Sequence, residues 1–78
     1  MPAAKGKIAE VRPIYRTGDR VLVELPSGFH VLVIQASEVV AGELWFDGES
    51  SKFGTSFPAR SIVRRLAPGE VFNWRTLK

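Results

Sequence analysis

The chain has 78 residues and a mass of 8.6 kDa, which limits it to one small domain without room for separate catalytic and substrate domains. Its 45% hydrophobic and 24% charged residues are typical of a folded globular protein, although so short a chain buries only about 60% of its surface. The absence of cysteine excludes disulfides and thiolate zinc sites, so stability must come from packing or from association, and a homodimer is one expectation.

The net charge of +3 is unevenly distributed along the chain. Residues 1–20 carry a charge of +3, residues 21–50 carry −5 and contain no lysine or arginine, and residues 51–78 carry +5. This distribution predicts a polarised surface if the fold brings the two basic ends together.

The first half of the chain predicts strands separated by short turns. Residues 1–6 are expected to be flexible, and residues 7–15 are expected to form a bent edge strand because Pro13 breaks regular pairing. Turn residues at 17–19 precede a strand in which Val21, Val23 and Leu25 alternate with the other face. After a hairpin connection at 26–28, residues 29–36 are apolar on both faces and predict a central strand.

The second half continues the pattern. A turn is expected at 37–38, followed by a strand at 39–46 in which Gly42 indicates a bulge. Asp47-Gly48 is a strong hairpin signal and is predicted to end that strand, in a loop of two residues or in a wider one that includes the following Glu-Ser-Ser. Residues 52–57 alternate again, residues 58–60 predict a 3₁₀ turn, and residues 61–66 predict a short last strand.

So many short strands in about sixty residues need protected edges, which favours a nearly closed barrel or a two-sheet roll. The stretch from Gly54 to Leu66, with Phe57-Pro58 before the turn, resembles the ending of SH3-like barrels, and residues 42–45 resemble the strand before it. The predicted fold is therefore all-β: a five-stranded SH3-like small barrel at 7–66, with a 3₁₀ turn before the last strand. A C-terminal extension at 67–78 is expected to pack on the barrel or on a partner. The resemblance implies that the two basic ends lie close together, but the opening Ala-Leu-Tyr-Asp-Tyr pattern of peptide-binding SH3 domains is absent.

Catalytic patterns are weak. His30 is the only imidazole and is interpreted as a structural or edge histidine, because the sequence specifies no catalytic partner for it. No nucleophile-elbow glycines surround Ser27 or Ser37. One histidine without cysteine does not predict a metal site, and no phosphate-binding glycine motif is present, so no cofactor is expected. A remote alternative is an enzyme: residues 18–21 resemble a stretch of the tetrameric plasmid-type dihydrofolate reductases. At 54–57, however, the chain lacks the amide and hydroxyl that would hold their cofactor and substrate.

The leading hypothesis from the sequence is a non-enzymatic module that binds nucleic acid through its basic ends. Phosphate backbones, rather than base edges, are the expected target, and an acidic protein surface is the alternative partner for the same basic residues. Because Arg64 and Arg65 point to opposite faces of a strand, only one of them can face a given groove. A solvated, solubilising surface is the competing interpretation. The candidate nucleic-acid-binding residues are Lys5, Lys7, Arg12, Arg60, Arg64 and Arg65.

The alternative hypothesis is a protein adaptor or small regulatory protein. Large aromatic side chains often anchor interfaces, and two of them lie in the C-terminal extension, which the sequence allows to be helix or strand. They could equally fold back and cap the barrel. The candidate partner-binding residues are Tyr15, Trp45, Phe72 and Trp74. With no apolar run of membrane-spanning length and no secretory signal, a cytoplasmic location without membrane contact is expected.

Overall fold

The computed structural model describes residues 14–77, which form one antiparallel sheet of five strands. In chain order the strands are β1 (Arg20–Leu25), β2 (Gly28–Val40), β3 (Glu43–Glu49), β4 (Gly54–Pro58) and β5 (Ile62–Arg65). One 3₁₀ turn (Ala59–Ser61) links β4 to β5, and a second (Trp74–Leu77) lies in the C-terminal extension. The strand order across the sheet is β4-β3-β2-β1-β5. Within residues 14–77, no helix has the length and apolar character needed to cross a membrane.

The predicted fold class is confirmed as an all-β sheet with five antiparallel strands and a 3₁₀ turn before the last strand. Pro58 supports that turn, because its fixed φ of −77° ends β4 in an extended conformation and leads the chain into Ala59. The expected flexible segment at 1–6 and most of the expected edge strand at 7–15 lie outside the described residues. Ile14 and Tyr15 are described, and neither is part of a strand.

The turn predicted at Ser37-Glu38 is wrong, because β2 continues through it to Val40. Ser37 pairs with Phe46 of β3, and Glu38 pairs with Trp45. The first half of β2 pairs with β1 and the second half pairs with β3, with a register shift between Ile34 and Ala36. An irregularity of this kind bends a strand, so one 13-residue strand can serve two parts of a curved sheet.

Gly42 is part of a hairpin turn, and the bulge predicted there is wrong. The turn joins β2 to β3 through two residues, Ala41 and Gly42, with φ values of 50° and 81°. Positive φ at both central positions is the requirement of a type I′ turn, whose twist matches that of the flanking strands. The strand predicted at 39–46 is therefore divided by this turn into the end of β2 and the start of β3.

The hairpin predicted at Asp47-Gly48 is also wrong, since both residues lie inside β3. Gly48 pairs with Ile34 on one side and with Thr55 on the other. It is buried, and the ring of Phe57 occupies the space above it, 2.8 Å from the position that a Cβ atom would take. The turn between β3 and β4 comes later, where the Ser50 N–H donates to the Phe53 carbonyl at 2.7 Å.

The core lies on the concave face of the sheet. Apolar residues that alternate along β1, β2 and β3 meet Phe57 of β4 there, while Leu22 is buried on the opposite face of β1. The two edge strands are short, and one ends in proline while the other carries two arginines, features that discourage pairing with other chains. The core cluster consists of Val21, Val23, Leu32, Ile34, Phe46 and Phe57, with Tyr15, Leu25, Ala59 and Ile62 packed against it.

Candidate binding surfaces

Each described arginine of the predicted basic face contacts a carboxylate. Arg60 forms an ion pair with Glu43. Arg64 donates from both terminal nitrogens to Glu70, at 2.7 and 3.3 Å. The remaining predicted residues of this face, Lys5, Lys7 and Arg12, lie outside the described residues.

Glu70 connects the C-terminal extension to β5 and to β1. Its carboxylate accepts from Arg64 and from the Ala67 N–H at 2.8 Å, and its backbone carbonyl accepts from Arg20. The hydrogen bond from Arg64 is the main reason that the pKa of Glu70 falls to about 2, and the same bond raises the pKa of Arg64. Arg64 pairs across the sheet with Leu22, so the extension lies on the Leu22 side of β1.

Arg65 holds the segment before β1 on the other side of the edge strand. It donates to the Ile14 carbonyl at 2.6 Å and lies 3.4 Å from the Asp19 carboxylate. Its guanidinium is 5.7 Å from the centre of the Tyr15 ring. Arg64 and Arg65 thus point to opposite faces, as their adjacent positions on a strand indicate, and each holds a different chain segment.

The described residues carry no net charge. Residues 14–77 contain seven lysines and arginines against seven aspartates and glutamates. The net charge of +3 therefore comes from residues 1–13 and from Lys78. Strong phosphate binding needs several cations that are not already neutralised by neighbours, and the arginines of β5 do not meet that condition.

A groove of about 700 Å³ lies at the end of the sheet where β2 turns into β3. One side is formed by Ile14 and Tyr15, and the Tyr15 ring contacts Phe46 edge-on at 5.8 Å between centroids. The other side includes Leu44, which is 43% exposed and pairs across the hairpin with Val39, which is 70% exposed. The full lining is Ile14, Tyr15, Gly42, Glu43, Leu44, Ala59 and Arg60.

Trp45 lies on the convex face of the sheet, which points away from the core. Because Phe46 points into the core, its neighbour Trp45 must point outwards. Its cross-strand neighbours are Glu38 on β2 and Pro58 on β4, and the Trp45 residue is half-buried. Asp47, two residues further along the same face, accepts a hydrogen bond from Ser56 at 2.6 Å.

The aromatic residues of the C-terminal extension contact each other. The Phe72 and Trp74 rings meet edge to face with centroids 4.9 Å apart, and the Arg64 guanidinium lies 5.7 Å from the Phe72 centroid. Trp74 is 50% exposed and Val71 is 89% exposed. The segment is neither the helix nor the strand that the sequence allows, but an irregular chain that ends in a 3₁₀ turn.

A contact between Ser27 and His30 was not expected from the sequence. The tight turn between β1 and β2 folds Ser27 back, so that its Oγ lies 2.9 Å from Nε2 of His30. The imidazole stacks on Phe53 at 4.5 Å between centroids, with the planes 13° apart. The spacing of three residues across a predicted turn was the available signal. The contact therefore links the turn between β1 and β2 to the turn between β3 and β4, and among residues 14–77 no hydrogen bond joins this pair to a carboxylate.

Comparison of the chain with protein-family models, with curated proteins and with solved structures gave no significant match. The class of protein is therefore defined by the structure itself: a small all-β domain with one five-stranded antiparallel sheet.

Proposed function

We propose that this protein is a small, non-enzymatic binding module with an SH3-like barrel fold, and that it recognises another polypeptide through the groove beside Tyr15. Three features support the barrel assignment: a long bent second strand, a 3₁₀ turn between the last two strands, and pairing of β5 with β1. Such superfolds host many functions, so the functional proposal depends on the surface rather than on the fold.

The groove is the observation that carries the proposal. Its volume of about 700 Å³ is in the range of ligand-binding clefts, and it adjoins Ile14, Val39 and Leu44, which are all exposed. Contiguous apolar surface on a small domain often marks a site of interaction. The rim carries the Arg60–Glu43 ion pair, which supplies polar groups beside the apolar lining.

The groove is tested with a random peptide display library and the purified domain. We expect selected peptides with apolar side chains that bind the unmodified protein and bind the Leu44→Glu variant at least about tenfold more weakly, as expected for an interface anchor. Val63→Glu is the matched control, because Val63 is an exposed apolar residue of β5 outside the groove lining. Circular dichroism establishes that both variants fold. Failure to select any peptide, or equal binding by Leu44→Glu, would overturn the proposal.

The apolar surface of the extension is proposed as a contact for self-association. Val71 and Trp74 are strongly exposed although they belong to a chain with a thin core. Light scattering over a range of protein concentrations measures the effect: the average mass should rise with concentration and should rise less in a Trp74→Ala variant.

Nucleic-acid binding is the second candidate, and the position of the unbalanced charge favours the chain ends over β5. Lys5, Lys7 and Arg12 supply charge that the described carboxylates do not balance. A salt titration with mixed-sequence duplex DNA tests this candidate, since phosphate contacts weaken steeply as salt rises. Joint replacement of Lys5 and Lys7 by alanine should weaken binding and flatten the salt dependence. An unchanged affinity would reject this candidate.

A further inference from the structure

We infer that the convex face of the sheet around Trp45 is a second binding surface, which takes a basic segment of a partner polypeptide. In this arrangement an arginine or lysine side chain lies over the indole ring, with its charge between Glu38 and Asp47. The inference rests on Trp45, Glu38 and Asp47, none of which lines the groove, so it does not depend on the function proposed for the groove.

The backbone pairing places the three side chains together. Glu38 is directly opposite Trp45, which puts their Cβ atoms about 5 Å apart. Asp47 follows on the same face, about 7 Å further along β3. The hydrogen bond from Ser56 holds the Asp47 carboxylate across the β3–β4 pair. The half-buried ring thus has one carboxylate beside it on β2 and another further along β3, an arrangement that attracts a cation both through charge and through the face of the indole.

The charges of this face favour a positively charged partner. The outward positions of β3 are Glu43, Trp45, Asp47 and Glu49, and residues 21–50 contain no lysine or arginine. Arg60 is the one described cation that reaches these carboxylates, and it pairs with Glu43.

The spacing of the carboxylates favours an extended peptide over a single ion. Outward side chains of β3 recur every second residue, at intervals of about 7 Å. An extended peptide with basic residues at alternate positions repeats at the same interval and can place several cations along β3. A single exposed ion pair binds weakly, so recognition requires several such contacts together.

The experiment uses the fluorescence of Trp45. The chain contains two tryptophans, so the Trp74→Phe variant leaves Trp45 as the sole indole. The probe is a synthetic peptide of alternating arginine and glycine, compared with the same peptide carrying lysine or glutamate in place of arginine. We expect saturable changes in Trp45 emission with the arginine and lysine peptides, tighter binding of arginine because its planar group stacks on aromatic faces, and weaker binding at high salt.

A matched pair of substitutions separates a local site from general attraction. Glu38→Gln removes a carboxylate beside Trp45, and Glu24→Gln removes one from β1. Glu24 is opposite Phe29, about 30 Å along β2 from Glu38. In the Trp74→Phe background, Glu38→Gln should weaken binding of the arginine peptide by about threefold or more while Glu24→Gln leaves it unchanged.

Two results would overturn the inference: the absence of an emission change with the arginine peptide, or an equal loss of affinity in both glutamine variants. Peptides selected against the groove should bind the Glu38→Gln variant normally. This result distinguishes failure of the convex face from failure of the groove.

Discussion

Substitution of Gly48 by alanine tests the packing of β3 against β4 at the position where a turn was predicted. A Cβ atom at Gly48 would lie 2.8 Å from Cε2 of Phe57 and 3.1 Å from Cβ of Leu32. Carbon atoms in favourable contact are about 3.5–4.0 Å apart. Phe57 and Leu32 are both fully buried, so neither can swing into solvent to make room.

The expected cost follows from this geometry. Overpacking by one methyl group in a well-packed core typically destabilises a protein by about 1–3 kcal/mol. For a domain of this size each kcal/mol lowers the melting temperature by about 4–8 °C, so a cost of about 2 kcal/mol predicts a decrease of about 8–16 °C. The strain arises from side-chain crowding, because the φ angle of Gly48 lies outside the left-handed region.

Gly54→Ala is the matched control. Its Cβ would lie 3.6 Å from Cβ of Glu49 and 3.8 Å from the Gly48 carbonyl oxygen, which are ordinary contacts. Its φ angle also lies outside the left-handed region, so alanine should stabilise the fold by about 0.4–1 kcal/mol through the unfolded state. Urea unfolding followed by circular dichroism measures both variants. If Gly48→Ala is as stable as Gly54→Ala, the proposed close packing of Phe57 over β3 is incorrect.

Three further predictions concern the first hairpin, Glu70 and the extension. Ala41→Asn should raise the free energy of unfolding by about 0.5–1 kcal/mol, because asparagine tolerates the left-handed φ of 50° better than alanine. Gly42→Ala should lower the free energy of unfolding, because the φ of Gly42 is also left-handed. Urea unfolding measures both variants. Glu70→Gln should be less stable than the unmodified protein at neutral pH, since the carboxylate with a folded pKa of about 2 contributes stability above its ordinary pKa of 4.5. The free energies of unfolding of the two proteins should converge as the pH falls from 4.5 to 2. A difference in free energy that does not change with pH would contradict this prediction. Trp74→Ala should reduce the concentration-dependent rise in mass without changing the circular dichroism spectrum, and an unchanged light-scattering profile would reject the self-association contact.

Alternation of apolar residues was sufficient to predict most of the sheet. Val21 and Val23 point into the core as their spacing indicates, and Leu25 packs against it. The Phe57-Pro58 pair correctly predicted a 3₁₀ turn before the last strand, because proline both ends β4 and fixes the entry into the turn. These features depend on residues that are close in sequence, which is why the sequence alone could reveal them.

The turns between β2, β3 and β4 were mispredicted because local preference and packing conflicted. Asp47-Gly48 has the composition of a hairpin turn, but Gly48 is needed inside β3, where the Phe57 ring leaves no space for a side chain. The actual turn contains Ala41, whose left-handed φ of 50° is unusual for alanine. A glycine selected for close approach and a glycine selected for a turn look the same in a sequence.

The contacts of the candidate basic face depend largely on long-range structure. Arg65 bonds to the Ile14 carbonyl, 51 residues away, and lies beside Asp19, 46 residues away. No spacing rule connects such positions. The pair of Arg64 and Glu70 is separated by only six residues, yet it depends on the way the chain folds back at Ala67 after β5.

These pairings determine which surfaces can recognise a charged partner. Arg64 would have to release two hydrogen bonds to Glu70 before it could hold a phosphate, and β5 would lose its link to the extension in the same step. On the convex face, Arg60 neutralises Glu43, whereas Glu38 lies beside the half-buried indole of Trp45 and forms no ion pair within the described residues. A charged partner binds most strongly where the charges of the surface are least neutralised by neighbouring side chains. For residues 14–77, this criterion favours a basic partner on the Trp45 face over an acidic partner on β5.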